Sequence, residues 1–394
     1  TSGGLKITSD TSGTLEIQSA GTTKFTVNSA GVAMPGPLTG LTSINGGQVG
    51  GSRNKIINGA MEINQRGTAA VATDQAFPSD RFKTAEAGGG NMTAQVVADA
   101  PASFRNSIKV IASTADDCSQ AADEYRIYQR IEGNNVVDLY YGNSGAKTTT
   151  LSFWVKSSLT GNFPVGLENS ASNRTHVKQY TINSADTWEK KSVTFVGDET
   201  GTWLITNGTG LNVNFVLGAG SNYTGTIDSW QGSRLYRGSS SVQFMATVNA
   251  TWFVTGVQLE VGSTATDFEY RTFGEELALC QRYYEQSYNY GIAVGTTTYD
   301  GGSFVGGSAT TRTTGYIAGG SIDFRVEKRG DPTIVAYDQA GASGKSQRYE
   351  LGVSNTNNSA IAIGHTDLRN FMCYSNTGSN ATGLFLHFTA TAEL

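Results

Sequence analysis

The sequence predicts an all-β chain: a jelly-roll β-sandwich between an N-terminal β-repeat stalk and a C-terminal β-sandwich head, with one short helix at the neck. Three observations point there. The 394 residues include 49 Gly but only 6 Pro, 15% are charged, and Thr, Ser and Asn are abundant. That bias suits short strands joined by tight turns, whereas helices want more Ala, Leu, Glu and Lys. Alternation of apolar and polar residues, the strand period, recurs along most of the chain. A helical period runs convincingly through one segment alone, residues 273–288.

The length suggests two or three domains. A formal charge of −5 and a pI near 5.4 leave no basic face for a nucleic-acid partner. No apolar run approaches the roughly 18 residues of a membrane span, so no membrane insertion is expected, and no signal peptide is visible. The three cysteines, Cys118, Cys280 and Cys373, are far apart and form no CxxC. Free thiols of this kind fit folding in a reducing cytoplasm. Seventeen Tyr, seventeen Phe and five Trp supply aromatic surface for cores and for exposed sites.

Residues 1–54 read as stalk and connector. Leu5-Lys6-Ile7, Leu15-Glu16-Ile17 and Phe25-Thr26-Val27 recur at a period of ten, separated by Gly/Ser turns. Within each unit the two apolar residues point to one side. Six such side chains bury roughly 10 kcal/mol at about 1.5–3 each. Ordering about 35 residues costs several times that. The segment cannot hold itself folded, and repeats of this kind stack on neighbours or on other chains. It is read as one third of an intertwined homotrimeric stalk. The chain opens at Thr1 in mid-pattern, as a piece of something longer would. Residues 35–54 lose the repeat.

Residues 55–272 read as the sandwich, with strands at 55–63, 91–97, 107–112, 125–131, 148–156, 163–169, 176–182, 189–195, 211–217, 244–248 and 252–261. Leu151, Phe153 and Val155 alternate, as do Leu211, Val213, Phe215 and Leu217. In the last strand Phe253, Val257, Leu259 and Val261 share one parity. About ten strands with no helix between them imply an antiparallel sandwich of jelly-roll form. The neck helix follows at 273–288. Thr272 is its N-cap and Glu275 sits at capping-box spacing. Leu277, Cys280, Tyr284 and Tyr288 form its apolar stripe, with Cys280 a small buried hydrophobe rather than a reactive thiol. Residues 289–394 return to β pattern as the head.

The order of short motifs resembles tail fibre and receptor-binding proteins of tailed bacteriophages that contain a carbohydrate-binding-module-like sandwich. The motifs are NKIINGAMEINQRGT with Asp80-Arg81-Phe82, LSFWVKSS, ADTWEKKSVTF, VTGVQLEVG…ATDFEYR, LxxCQRYYE, and EKRGDPT before a final strand ending Ala-Glu-Leu. This resemblance implies a non-enzymatic, homotrimeric virion protein made in the bacterial cytoplasm. Its N-terminal side would join other tail proteins, and it would adsorb to host surface polysaccharide or lipopolysaccharide. Two other readings stand beside it: a tailspike-like polysaccharide depolymerase, and a fibre-adaptor or baseplate component that binds only virion proteins. Modules of this shape often hold a structural calcium between an early acid and an Asp of the last strand. Glu62 matches the first, but Thr255-Gly256 stands at the second.

Catalytic signatures fail in turn. Gly344-Lys345-Ser346 mimics the end of a P-loop without its first Gly or a following helix, and Lys345 breaks the nucleophile-elbow pattern at 341–345. His176, His365 and His387 are scattered, so no metal site and no cofactor are expected. Glycosidases need two carboxylates about 5–10 Å apart. Asp116, Asp117, Asp123 and Glu124 sit among Ser, Gln and Ala and read as a solvated loop. Sugar binding needs only ring faces for stacking and polar groups for hydroxyls. Trp154, Trp188, Trp203, Tyr223 and Trp230 are candidates in the sandwich, though each reads more simply as packing. The head offers Tyr299, Asp300, Tyr337, Asp338, Arg348, Tyr349, His365 and Tyr374, mostly in Gly/Asn/Ser loops. Such loops are where recognition usually lives.

Overall fold

The computed structural model describes residues 52–306, 320–350, 355–374 and 381–394, together with the backbone of six short strands before residue 52. The first four of these, β1 (Lys6–Ser9), β2 (Leu15–Ser19), β3 (Thr22–Asn28) and β4 (Gly31–Ala33), form an antiparallel meander. Its register aligns Ile7 with Ile17, Ile17 with Phe25 and Leu15 with Val27, so the ten-residue repeat becomes cross-strand apolar rows. Leu5 lies outside the described residues, as do the side chains of Ile7, Ile17, Phe25 and Val27. In the connector, β5 (Ser43–Ile44) pairs with β6 (Gly47–Gln48).

The sandwich holds β7 (Lys83–Ala87), β8 (Asn91–Val97), β9 (Ser107–Thr114), β10 (Glu124–Glu132), β11 (Thr149–Ser157) and β12 (Gly161–Glu168). It continues through β13 (Thr175–Ile182), β14 (Glu189–Phe195), β15 (Thr209–Ala219), β16 (Trp230–Gln231) and β17 (Thr251–Val261). One sheet runs β16-β13-β12-β15-β10-β7 and the other β14-β11-β17-β9-β8. Every pairing within them is antiparallel. The alternating residues of β11 and β15 fill one core between the layers. Phe153 of one layer meets Tyr180 and Phe215 of the other edge-on, at 4.9 and 5.0 Å between ring centroids. That geometry suits aromatic quadrupoles.

Three sequence expectations change here. Residues 55–63 form turns, not a strand. Asn58 and Met61 take left-handed backbone, and the Asn58 amide donates to the carbonyls of Ile63 and Asp80 while its oxygen accepts from the Ile63 N–H. Residues 244–248 contain a short 3-10 turn, Phe244–Ala246. Phe244 and Met245 are consecutive and both buried, which an alternating strand forbids. In β17 the parity switches. Trp252 and Val254 face the core together with Val257 and Leu259, while Phe253 lies under Lys109 and Lys156 on the other face. A bulge causes the switch: the β11–β17 register shifts between Ser152 and Trp154, and Gly256 has φ of +61°. A Cβ at Gly256 would come within 2.7 Å of the Phe104 ring, so glycine is required on both counts.

The helix α1 spans Phe273–Gln281 with the capping box in place. The Thr272 hydroxyl accepts from the Glu275 N–H, and the Glu275 carboxylate accepts from the Thr272 N–H at 2.9 Å. It is shorter than the predicted 273–288. Tyr284 belongs to β18 (Tyr284–Gln286), which pairs with the last strand, β26 (Ala381–Thr391). Tyr288 lies beyond it and stacks on His387 at 3.9 Å. The apolar stripe is therefore only Leu277 and Cys280. Cys280 clusters with Ile57, Ile63 and Tyr283 of the same chain, and Leu277 and Leu394 pack against that cluster. Helical spacing in YYEQSY lost to strand pairing, which aromatic residues favour.

The head contains β19 (Ser303–Gly306), β20 (Ser321–Asp323), β21 (Thr333–Tyr337), β22 (Lys345–Glu350), β23 (Thr356–Ala360), β24 (Ala362–Gly364) and β25 (Asn370–Tyr374). β26 is its axis. β18 and β21 share residues 389–391 as partners, and β19 and β22 share residues 383–385, so β26 is flanked on both edges along its length. The β20-β25-β24 sheet forms the second layer. Phe371, Leu386 and Phe388 anchor the core between the two.

Head and sandwich meet through a buried ion network. Arg81 and Arg66 both pair with Glu393, and Arg66 lies 3.6 Å from Asp80. Arg66 also stacks over Tyr284, and Arg81 over Tyr283, at 3.6 and 3.5 Å. Arg282 forms a fork on Glu132 of β10, and the Tyr283 hydroxyl donates to the same carboxylate. Lys328, fully buried, donates to Glu285 at 2.6 Å and to the Gln281 carbonyl. Burial pushes the Glu132 carboxyl up. Hydrogen bonds from Arg282, Tyr283 and Asn134 together outweigh burial and leave it below the usual carboxylate range.

Asp80 behaves the opposite way. Burial pushes it from 3.8 up to about 6, against the pull of Arg66 and Gln65. A raised folded value means that its contribution to stability is fully present below about pH 4 and lost as pH rises through about 6. The melting temperature of the native chain, measured relative to Asp80→Asn, should therefore fall between pH 4 and pH 7. A difference that stays flat across that range would contradict this assignment.

Candidate functional site

The outer face of the β19-β26-β22 ribbon presents an aromatic platform. Register places Phe304, Phe385 and Gln347 in one cross-strand row, with Tyr349 opposite Gly383 in the next. Tyr299 packs edge-on against Phe385 at 5.1 Å, and Phe304 against Tyr349 at 5.2 Å. Phe304 is 59% exposed and Tyr299 51%. Two glycines let the rings lie on bare backbone. A Cβ at Gly383 would meet Phe304 at 2.5 Å, and one at Gly302 would meet Phe385 at 2.1 Å. The Gln347 amide donates to the Tyr299 hydroxyl at 3.2 Å. Burial, and then the neighbouring Tyr299, to which it hydrogen-bonds, raise the Tyr349 phenol. The result is a set of ring faces fixed from behind with polar groups at their rim. Such a surface can stack the C–H face of a sugar ring and hydrogen-bond its hydroxyls.

Of the eight head residues singled out in the sequence, Tyr299 and Tyr349 converge here, and Asp300 sits exposed beside Tyr299. The other five lie elsewhere. Arg348 alternates to the opposite face, level with Leu384. Asp338 is buried and caps the β21–β22 connection by accepting from the Ala342 N–H at 2.8 Å. Tyr337 closes β21 opposite His387. His365 and Tyr374 belong to the β20-β25-β24 layer: His365 is exposed after β24, and the Tyr374 ring lies against Gly364. Phe304, Phe385 and Gln347 were not picked out from sequence. Ser303-Phe304-Val305 alternates, but nothing local says which parity faces solvent.

The sandwich uses its candidates for packing. Trp203, Trp230, Tyr141 and His176 form edge-to-face contacts at 4.9–5.7 Å that close one end of the core. Burial pushes His176 down to about 4, so its ring is neutral there. Trp154 lies against the Gly256 bulge, Trp188 donates to Asp99, and Tyr223 packs on Tyr236. Trp203 also floors an apolar cleft of about 150 Å³ edged by Tyr140 and Ile205.

The acids read as a solvated loop are not all solvated. Glu124 is buried in β10, where it and Glu168 share Arg126 and Arg234 beneath Tyr236. Asp116, Cys118 and Asp123 bring three donor atoms within 4.8 Å and could hold a metal. Asp116 is already engaged, however, accepting from Tyr125, Gly89, Gly90 and the Cys118 N–H. Burial, and then Asp116, push the Cys118 thiol up to about 12. Glu62 faces Arg105 at 3.9 Å, and Thr255 is buried in β17.

What fold and site define is an all-β sandwich protein with an exposed aromatic platform. No family model and no curated protein matches the chain. Among solved structures it is similar to the enzymatically active domain of tailspike protein 4 from bacteriophage CBA120, at 11% identity and a TM-score of 0.28, covering 53% of this chain and 21% of that one. It is also similar to the CBM22-1 xylan-binding domain of Paenibacillus barcinonensis Xyn10C, at 10% identity and 0.28, covering 57% and 100%. A third is a putative sugar binding protein from Bacteroides thetaiotaomicron VPI-5482, at 13% identity and 0.31, covering 53% and 100%.

Proposed function

We propose that the chain is a homotrimeric tail-fibre or receptor-binding subunit of a tailed phage. It holds host surface polysaccharide or lipopolysaccharide on its head and does not turn the glycan over. The observation that carries this is the platform itself: Tyr299 and Phe304 expose more than half of their surface yet are held in place by Phe385, Tyr349 and two glycines. Exposed rings fixed from behind lose little freedom when a ligand stacks on them. Each such site is weak alone. Three per fibre gain through effective concentration, which gives the stalk its purpose: the aligned apolar rows of β1–β4 would meet those of two further copies. The order of the motifs, from INGAMEINQRGT to EKRGDPT, supports the same family. Binding without reaction is favoured because Glu124, Glu168 and Asp116 are each committed to structural partners.

The test uses the whole chain, because a fragment starting at residue 289 would lack β18, an edge partner of β26. Immobilised host polysaccharide should capture it, and Tyr299→Ala with Phe304→Ala should weaken capture by at least about tenfold. Reducing ends should stay constant during incubation. Their steady release, abolished by one Glu or Asp substitution, would show an enzyme instead. Sedimentation should give three chains per particle, and a monomer would remove the stalk from the account.

A further inference from the structure

A second concave surface lies at the junction, bounded by the turn at 58–62, the β8–β9 loop and the residues leading into α1. Its volume is about 270 Å³, at the small end of ligand clefts and suited to one sugar unit. Aromatic rings form its walls. Phe268 meets Tyr270 edge-on at 4.9 Å, and Phe104 backs both at 5.2 and 5.6 Å. Phe273 meets Tyr290 at 5.2 Å. Tyr270 is 58% exposed and Phe273 50%.

Both tyrosines are tied down by their own hydroxyls. Tyr270 donates to the Ser103 carbonyl and Tyr290 to the Glu62 carbonyl, each at 2.8 Å. Their ring faces are therefore presented in fixed orientation. Two charged groups of opposite sign remain available at the rim. Arg105 is 85% exposed and stands 3.9 Å from Glu62, beyond hydrogen-bond reach. The Glu62 carboxyl is raised by burial against the pull of Arg105. By contrast, Glu276 on the groove floor is committed to the Asn58 N–H and to Arg271.

We infer that this groove is a second glycan site, taking one neutral hexopyranose unit. The ring stacks on Tyr270 and Phe273, and two neighbouring hydroxyls bridge the carboxylate of Glu62 and the guanidinium of Arg105. The pairing of one acceptor with one donor is neutral overall, which matches an uncharged polyol better than an acidic sugar. The inference rests on the glycan-binding reading of the head but involves separate residues.

Saturation-transfer NMR with methyl α-glucoside, methyl α-mannoside and methyl β-galactoside, on the whole chain, separates the two sites. At least one glycoside should receive saturation. Tyr270→Ala should weaken its binding by about tenfold, and Glu62→Gln by less, in a background of Tyr299→Ala with Phe304→Ala that removes the head platform. Unchanged melting temperature in Tyr270→Ala and Glu62→Gln shows that the fold persists. If the head double variant alone abolishes transfer, the groove is no site while the head reading stands. If polysaccharide is captured but no glycoside receives saturation from the head double variant, the groove inference likewise fails. If Tyr270→Ala leaves transfer unchanged but splits the trimer, the groove is a contact between copies and the inference is overturned.

Discussion

The structure depends on the buried ion network that joins sandwich to head. Arg66, Arg81, Asp80 and Glu393 form one part of it and Glu132, Arg282 and Tyr283 another, while Glu285 with Lys328 ties the head to the end of α1. Buried ion pairs are weak contributors to net stability, because desolvation offsets much of their attraction. They are demanding about geometry, since losing one partner strands the other, at about 3–5 kcal/mol. A network of this kind fixes one docking arrangement more than it strengthens the fold. Aromatic rings sharpen the choice: the guanidinium groups of Arg66 and Arg81 lie over the Tyr284 and Tyr283 rings at 3.6 and 3.5 Å from the centroids, a cation–π contact that adds to the ion pairs.

Rigid docking bears on binding. A head on a loose tether would present its platform in many orientations, and in the trimer proposed above the gain from three sites would shrink. Here β18 leaves the neck and enters the head sheet directly, while Arg329 ties the β20–β21 connection to the carbonyls of Ala392 and Glu393. The platform and the junction groove are thus two faces of one body. Glycine is placed where ring faces must touch backbone, at Gly302 and Gly383, and where a strand must bulge, at Gly256.

Much of the sandwich was legible because its strands are long, alternate cleanly and are bounded by turns; 91–97 and 189–195 match residue for residue. Failures came where another interaction outranked periodicity. Asn58 satisfies backbone groups at 55–63 that a strand would have paired, a bulge reverses the parity of Phe253, and strand pairing with β26 captures Tyr284 from the helix. The motifs in NQRG, DRF, CQRYYE and EKRG read as family marks without a physical role. Their partners lie far apart in sequence, as with Arg66 and Glu393, so only the folded chain shows that they meet. The platform was half legible. Tyr299 and Tyr349 carry turn and strand-end signals, but Phe304 and Gln347 join them only through register along β26.

Hydrogen exchange read at β15 in the sandwich and β26 in the head tests the central claim. In the native chain the two strands should open with the same free energy, as one cooperative unit. Glu393→Gln leaves Arg66 and Arg81 without their shared carboxylate, and exchange in β26 should then accelerate about a hundredfold or more and no longer match that of β15. Unequal opening in the native chain, or unchanged protection of β26 in the variant, would contradict the account.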